Sequence, residues 1–290
     1  MQIGVSSYSY SRLVGRGKMK QIEVIKAAKD AGFDVIEFST ISVPEGKTLP
    51  EFAAELKAEA DAVGIKIANY TIGADFVHGS NGDIEAEIER LKGEVDIAAI
   101  LGAPGMRHDI TYSLSREESG MHTFEAALPR IAQAVRAVTE YAASKGIRTM
   151  TENHGFISQD SVRVEKLITA VNHPNFGVLL DLGNFYCADE NSAEAVGRLA
   201  PYAFHAHAKD FHMKSGNGFN PGEGWFMSRG GNFLRGAIIG HGNVPLLQAI
   251  RALKRTGYDG VLSVEFEGME DPMDGVRMGQ ANLRKLLELA

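Results

Sequence analysis

From end to end, this chain alternates a short strand-like run with a helical stretch, eight times over. The strand-like runs span 2–7, 34–39, 64–71, 103–109, 148–154, 176–184, 203–210 and 260–268. Between and after them lie helical stretches at 19–30, 48–63, 83–101, 123–145, 161–171, 192–199, 244–256 and 275–289. In MKQIEVIKAAKD (19–30) the apolar residues recur three and four apart, the period of an amphipathic helix. Gly64, Gly102, Gly146 and Gly257 stand where a helix should stop before the next strand. Strictly alternating units of this kind build a parallel sheet. Eight units in 290 residues fit a closed (β/α)₈ TIM barrel better than an open doubly wound sheet. No G-x-G-x-x-G or G-x-x-x-x-G-K follows a strand, so the usual phosphate cradles of open sheets are missing. The fold expected is α/β, a single barrel domain over residues 1–290 with a long glycine-rich loop after strand seven.

That loop, 212–243, carries the one tryptophan, Trp225, together with Phe219, Phe226 and Phe233. In a barrel it falls on the C-terminal face, where active sites are built, and its aromatic content suits a lid over a substrate. A net charge of −7 argues against a partner held by its phosphate backbone, so nucleic acid is not expected. A lone cysteine, Cys187, excludes an intrachain disulfide framework and fits a reducing compartment. MQIGVSSYSY begins with strand-like alternation and lacks the features of a signal peptide, and no run of eighteen apolar residues occurs. A cytoplasmic protein without a membrane partner is expected.

Chemistry concentrates in four strand-like runs: RTMTENH (148–154), FGVLLDLGN (176–184), AFHAHAKD (203–210) and GVLSVEFEG (260–268). Each delivers one conspicuous group near its end: Glu152, Asp181, His207 and Glu265. Alternation along a strand puts Glu152 with Met150, Asp181 with Leu179, His207 with His205 and Lys209, and Glu265 with Ser263 and Glu267. If those faces share one lumen, three carboxylates and an imidazole converge. Unpaired buried charges cost several kcal/mol each, and one divalent cation partners all four.

The ordered set T-E-N-H-G, L-D-L-G-N-F, H-A-H-A-K-D and S-V-E-F-E resembles the xylose isomerase-like barrel superfamily. A-G-F-D-V-I-E-F (31–38) and G-H-G-N-V-P (240–245) extend the resemblance over the whole chain. It implies one divalent metal ion (manganese, zinc, cobalt or magnesium) on Glu152, Asp181, His207 and Glu265. It also implies that Glu152 and Glu265 are the catalytic pair, exchanging protons with a sugar or keto-sugar through a metal-stabilised enediolate. The activity implied is that of an isomerase or epimerase in carbohydrate metabolism. Alternatives are an inosose dehydratase-like lyase on a keto-polyol, a non-catalytic sugar-binding barrel and an abasic-site endonuclease. The resemblance further suggests a homo-oligomer.

Around the four ligands, His154, Asn184, Lys209, Glu37, His108 and Trp225 are candidate substrate contacts. Glu265 is preferred to its neighbour Glu267, and His205 is read as packed beneath His207. Asn184 stands where the resemblance leads one to expect a histidine, which contacts substrate in many sugar epimerases and metal in the endonuclease branch. An asparagine there is a poor zinc ligand and argues for one ion instead of several.

Overall fold

The computed structural model describes residues 1–114 and 123–290. Eight parallel strands close into a barrel in the order β1-β11-β7-β6-β5-β4-β3-β2. In chain order these are β1 (Gln2–Ser6), β2 (Val35–Ser39), β3 (Lys66–Ile72), β4 (Gly105–His108), β5 (Arg148–Glu152), β6 (Phe176–Asp181), β7 (Ala203–Ala208) and β11 (Val261–Val264). Helices Glu23–Asp30, Leu49–Val63, Ile84–Leu101, Phe124–Ser144, Ser161–Val171, Ser192–Leu199, Leu246–Arg255 and Pro272–Leu289 cover the outside. These eight match the expected helical stretches to within a few residues at each end.

Local chemistry sets the helix boundaries. Thr48 and Glu51 form a reciprocal capping box at the start of Leu49–Val63. Asp83, Asp160, Asn191 and Asp271 cap four other helices by accepting backbone N–H groups. Gly64 and Gly102 end their helices at φ 73° and 69°, a left-handed conformation that a side chain would strain. Between helices and sheet lies a continuous apolar layer that includes Ile25, Phe38, Leu56, Leu91, Val135, Leu167 and Leu253, all essentially buried.

The segment after strand seven differs from expectation. Instead of a glycine-rich loop, it holds a three-stranded antiparallel sheet: β8 (Asp210–Lys214), β10 (Phe233–Ala237) and β9 (Phe226–Met227), in the order β8-β10-β9. Five residue pairs join β8 to β10, from Phe233 with Lys214 to Ala237 with Asp210. The many glycines masked a weak strand pattern. Among them, Gly236 lies so close to the Glu267 backbone that a Cβ would stand 2.5 Å from its carbonyl oxygen. Asp210 fastens the ribbon's return, accepting the backbone N–H groups of Phe211, Gly240 and Gly242 at 2.9 Å and of Val244 at 3.1 Å.

Candidate metal centre

The barrel places its four strand-end groups in one buried cluster. Glu152 and Asp181 are the last residues of β5 and β6, His207 lies on β7, and Glu265 follows β11. One ligand atom from each lies within 4.8 Å of all the others. Nδ1 of His207 faces the carboxylates, at 3.8 Å from Glu152 Oε1, 3.7 Å from Asp181 Oδ2 and 3.5 Å from Glu265 Oε2. Two atoms ligating one ion at about 2.1 Å each stand about 3.0–3.4 Å apart, so a small contraction brings this set around a cation.

Two observations test whether a cation suits these residues. First, His207 Nδ1 and Asp181 Oδ2 are buried without a hydrogen-bond partner among the described residues. Orphaned buried polar atoms are rare and call for an explanation, and an ion between them supplies one. Second, six carboxylates (Glu37, Asp109, Glu152, Asp181, Glu265 and Glu267) share the region with two fixed cations, Arg107 and Lys209. Burial opposes protonation of His207, yet Glu37, Glu265 and Asp181 outweigh it and raise its pKa well above the ordinary value. A centre that draws a proton so strongly has surplus negative charge, which a divalent ion offsets. Three oxygens and one nitrogen suit manganese, magnesium, cobalt or zinc.

Backbone hydrogen bonds orient these groups. Asp181 Oδ1 accepts the N–H groups of Gly183 and Asn184 at 2.7 and 2.8 Å, leaving Oδ2 to face the cluster. Asn153 ties β5 to β6, donating to the Asp181 carbonyl and accepting its N–H, both at 2.9 Å. Gly183 lets the chain pass β7, since a Cβ there would stand 2.5 Å from the Lys209 carbonyl oxygen.

Arg107 on β4 is an unforeseen member. Its guanidinium meets Glu152 Oε2 at 2.7 Å and both Asp109 oxygens at 2.8 and 2.9 Å. Burial raises the Glu152 carboxyl, and the pull of Arg107 and His207 does not fully offset it. Glu265 behaves oppositely: Lys209 at 2.7 Å and His207 hold it well below the usual range despite burial. The two candidate proton carriers therefore sit in different electrostatic surroundings.

Above the cluster opens a cavity of about 360 Å³. Tyr8, Phe156 and Phe226 give it apolar walls, and His154, Asn184, Lys209 and Glu267 line it with polar groups. Asn184 bridges the site, donating to Glu152 Oε1 at 3.0 Å and accepting from Lys209 at 3.2 Å. His154 donates from Nδ1 to Asp109 Oδ1 at 2.9 Å and keeps 42% of its side chain exposed. A larger cavity of about 450 Å³, lined by Gln2, Val35, Lys66 and Gly102, opens at the other end of the strands and brings no such cluster together.

Three expected substrate contacts lie elsewhere. His108 is fully buried on the outer side of β4, between Phe76 and Phe176 at centroid distances of 5.8 and 6.2 Å. Strand alternation gives the lumen to its neighbour Arg107 instead. Glu37 is fully buried beneath His207, hydrogen-bonded to it and in ion-pair contact with His205, and does not reach the cavity. Trp225 stands near Lys214 and Arg235, 5.8 and 5.6 Å from its ring centroid, while its neighbours Gly224 and Phe226 line the cavity. Tyr8 and Gln159, also at the cavity, had no signal beyond ordinary polar or aromatic character in a loop.

Among the described residues, no helix is long and apolar enough to cross a membrane. An uncharacterised protein of Methanocaldococcus jannaschii, MJ1311, is 25% identical over 144 residues, which is 49% of this chain and 43% of that protein. The chain thus spans under half the length of this curated relative. Among solved structures, an L-ribulose 3-epimerase superposes with a TM-score of 0.74 at 18% identity, covering 99% of this chain and 94% of that one. The probable 3-DHS dehydratase AsbF of Bacillus anthracis gives 0.70 at 18% identity, covering 98% and 99%. A xylose isomerase-like barrel protein of Mycobacterium smegmatis, in complex with magnesium, gives 0.69 at 20% identity, covering 93% and 87%. At these identities the likeness is one of fold. The family profile described as xylose isomerase-like TIM barrel matches residues 25–286, nearly the whole chain, so the chain belongs to the xylose isomerase-like TIM barrel family.

Proposed function

We propose that this protein is a divalent-metal-dependent isomerase or epimerase of a sugar or keto-sugar. One observation carries the reading: Glu152, Asp181, His207 and Glu265 converge, buried, next to a cavity whose lining residues Asn184 and Lys209 touch Glu152 and Glu265. The fold-level likeness to an L-ribulose 3-epimerase supports it. A divalent ion on these four groups would polarise a bound carbonyl and its neighbouring hydroxyl and acidify the C–H between them.

The chain's own residues supply the rest. Glu152 and Glu265 come from strands on different sides of the lumen, so a carbon held between them meets one carboxylate on each face. One removes the proton and the other returns it from the opposite side, inverting the centre. Burial raises the Glu152 carboxyl while Lys209 and His207 lower that of Glu265, so the two carboxylates enter the exchange in different electrostatic surroundings. Asn184, Lys209 and His154 present donors to substrate hydroxyls, and Tyr8, Phe156 and Phe226 offer apolar walls for the sugar face.

A lyase is the second reading, favoured by Glu267, a further carboxyl on the cavity wall beside Lys209, and by the likeness to AsbF. The same proton removal next to a carbonyl would then be followed by loss of a β-hydroxyl, with Glu267 as proton donor. Incubation of candidate keto-sugars and ketoinositols in deuterated water separates the two. An epimer carrying one solvent deuterium supports the isomerase reading, and a product lighter by water supports the lyase. A substrate panel that shows neither exchange nor water loss with metal-loaded protein contradicts both.

A further inference from the structure

Beneath the metal centre lies a second buried set, formed by Glu37, His205 and Ser263. Glu37 projects from β2 across the lumen to β7. One of its oxygens, Oε1, accepts a hydrogen bond from His207 Nε2. The other, Oε2, lies 2.5 Å from His205 Nε2, which also meets Ser263 Oγ at 3.1 Å. His205 and His207 occupy alternate positions of β7, and their rings meet edge to face at 83°, with centroids 5.8 Å apart. Glu37 and His207 are fully buried and His205 is 3% exposed.

Glu37, His205 and His207 also bring three possible metal-ligand atoms together. Their contacts are too short for an ion to stand between them: ligands sharing one cation stand about 3.0–3.4 Å apart. This set is closed at contact distance, by the hydrogen bond of His207 to Glu37 Oε1 and by His205 Nε2 standing 2.5 Å from Oε2, whereas the cluster above it keeps gaps of 3.5–3.8 Å around His207 Nδ1.

That contrast gives Glu37 its role. A neutral imidazole that donates from Nε2 carries its lone pair on Nδ1. Nδ1 of His207 is the atom facing Glu152, Asp181 and Glu265. We propose that Glu37 is a positioning residue: it fixes His207 as the tautomer whose Nδ1 can bind the cation and aims the ring at the three carboxylates. His205, itself bonded to Ser263, stands 2.5 Å from the far oxygen of Glu37 and limits the carboxylate's swing away from His207. The opposite tautomer would direct an N–H at the carboxylates and remove the one nitrogen ligand. Partners of this kind behind a ligating histidine change metal affinity by roughly 10–100-fold. The inference rests on the metal-centre reading above.

The test measures metal, not turnover. Manganese titrated calorimetrically into chelator-treated wild type, Glu37→Ala and Glu37→Gln should give a Kd at least about 10-fold weaker for Glu37→Ala. The Glu37→Gln variant, which keeps an oxygen acceptor for His207, should recover part of that loss. A folded Glu37→Ala chain with Kd within twofold of wild type overturns the proposal. If Glu37→Ala does not fold, nitrogen-15 histidine spectra of magnesium-loaded wild type decide: His207 protonated at Nε2 supports the proposal, and protonation at Nδ1 overturns it. A wild-type chain that binds no divalent ion overturns the metal-centre reading and this inference with it. Binding by wild type that Glu37→Ala leaves unchanged overturns this inference alone.

Discussion

Arg107 offers the sharpest energetic test of the site's construction. Replacing it with methionine keeps much of the side-chain volume and deletes a cation that is 5% exposed. The loss strands two carboxylates, Glu152 with its 2.7 Å pairing and Asp109 with pairings of 2.8 and 2.9 Å. Removing one partner of a buried pair costs about 3–5 kcal/mol, because the remaining charge stays desolvated. Each carboxylate keeps a weaker partner: Glu152 holds Asn184 at 3.0 Å, and Asp109 holds Tyr112 at 3.0 Å and His154 at 2.9 Å. The expected cost therefore lies near the lower end, about 3 kcal/mol, or roughly 6 °C in Tm for a chain of this size. The sign with pH is fixed as well. Without the guanidinium, the folded-state pKa of Glu152, already raised by burial, moves further above its unfolded value. The folded variant then binds more protons than the unfolded chain, so its stability falls as pH rises. Urea unfolding of chelator-treated protein at pH 5.5 and pH 8 should show a larger deficit at pH 8. A deficit under about 1 kcal/mol, or one that does not change with pH, would refute the role given to Arg107.

Three further outcomes are expected. Glu152→Gln and Glu265→Gln should each lower kcat by about 10²–10⁴ while the circular dichroism spectrum stays that of the wild type; near-normal turnover in either removes it from the proton-transfer pair. His108, fully buried, is pulled down to about 4 by burial first, so its folded pKa lies below its unfolded value. Its contribution to stability is present above about pH 6.5 and is lost as pH falls toward 4, a change of about 3 kcal/mol that His108→Phe should flatten in urea titrations. An unchanged pH slope in that variant would contradict the burial account. Cys187 lines the cavity, but burial pushes its thiol up to about 12. At pH 8 iodoacetamide should label it about 10³-fold more slowly than an ordinary thiol, and rapid labelling of folded protein would show that the thiol is not so placed.

The barrel was legible because most helices carry a capping residue or a glycine stop beside an apolar stripe, and each strand an apolar run. The convergence of Glu152, Asp181, His207 and Glu265 followed from the same alternation, which assigns every second residue to the lumen. Alternation also held the means to choose Arg107 over His108. Both end one strand, and the chemically conspicuous histidine drew attention from an arginine set inside an apolar run. Glu37 was legible as a lumen carboxylate but not as a partner of His207, since its reach across the barrel depends on which strands oppose one another. The ribbon after β7 was hidden for a different reason. Its pairing joins residues as far apart as Asp210 and Ala237, and its glycines answer to close backbone approaches that leave no periodic trace. Trp225, the most visible aromatic residue of that segment, packs near ribbon cations while the plainer Phe226 lines the cavity.

Metal stoichiometry tests the central claim most directly. Wild-type protein loaded with manganese and freed of excess ion should retain one ion per chain by elemental analysis, and Asp181→Asn and His207→Ala should retain almost none while staying folded. A wild-type chain that retains no ion, or variants that retain as much as wild type, would contradict the assignment of Glu152, Asp181, His207 and Glu265 as a metal centre.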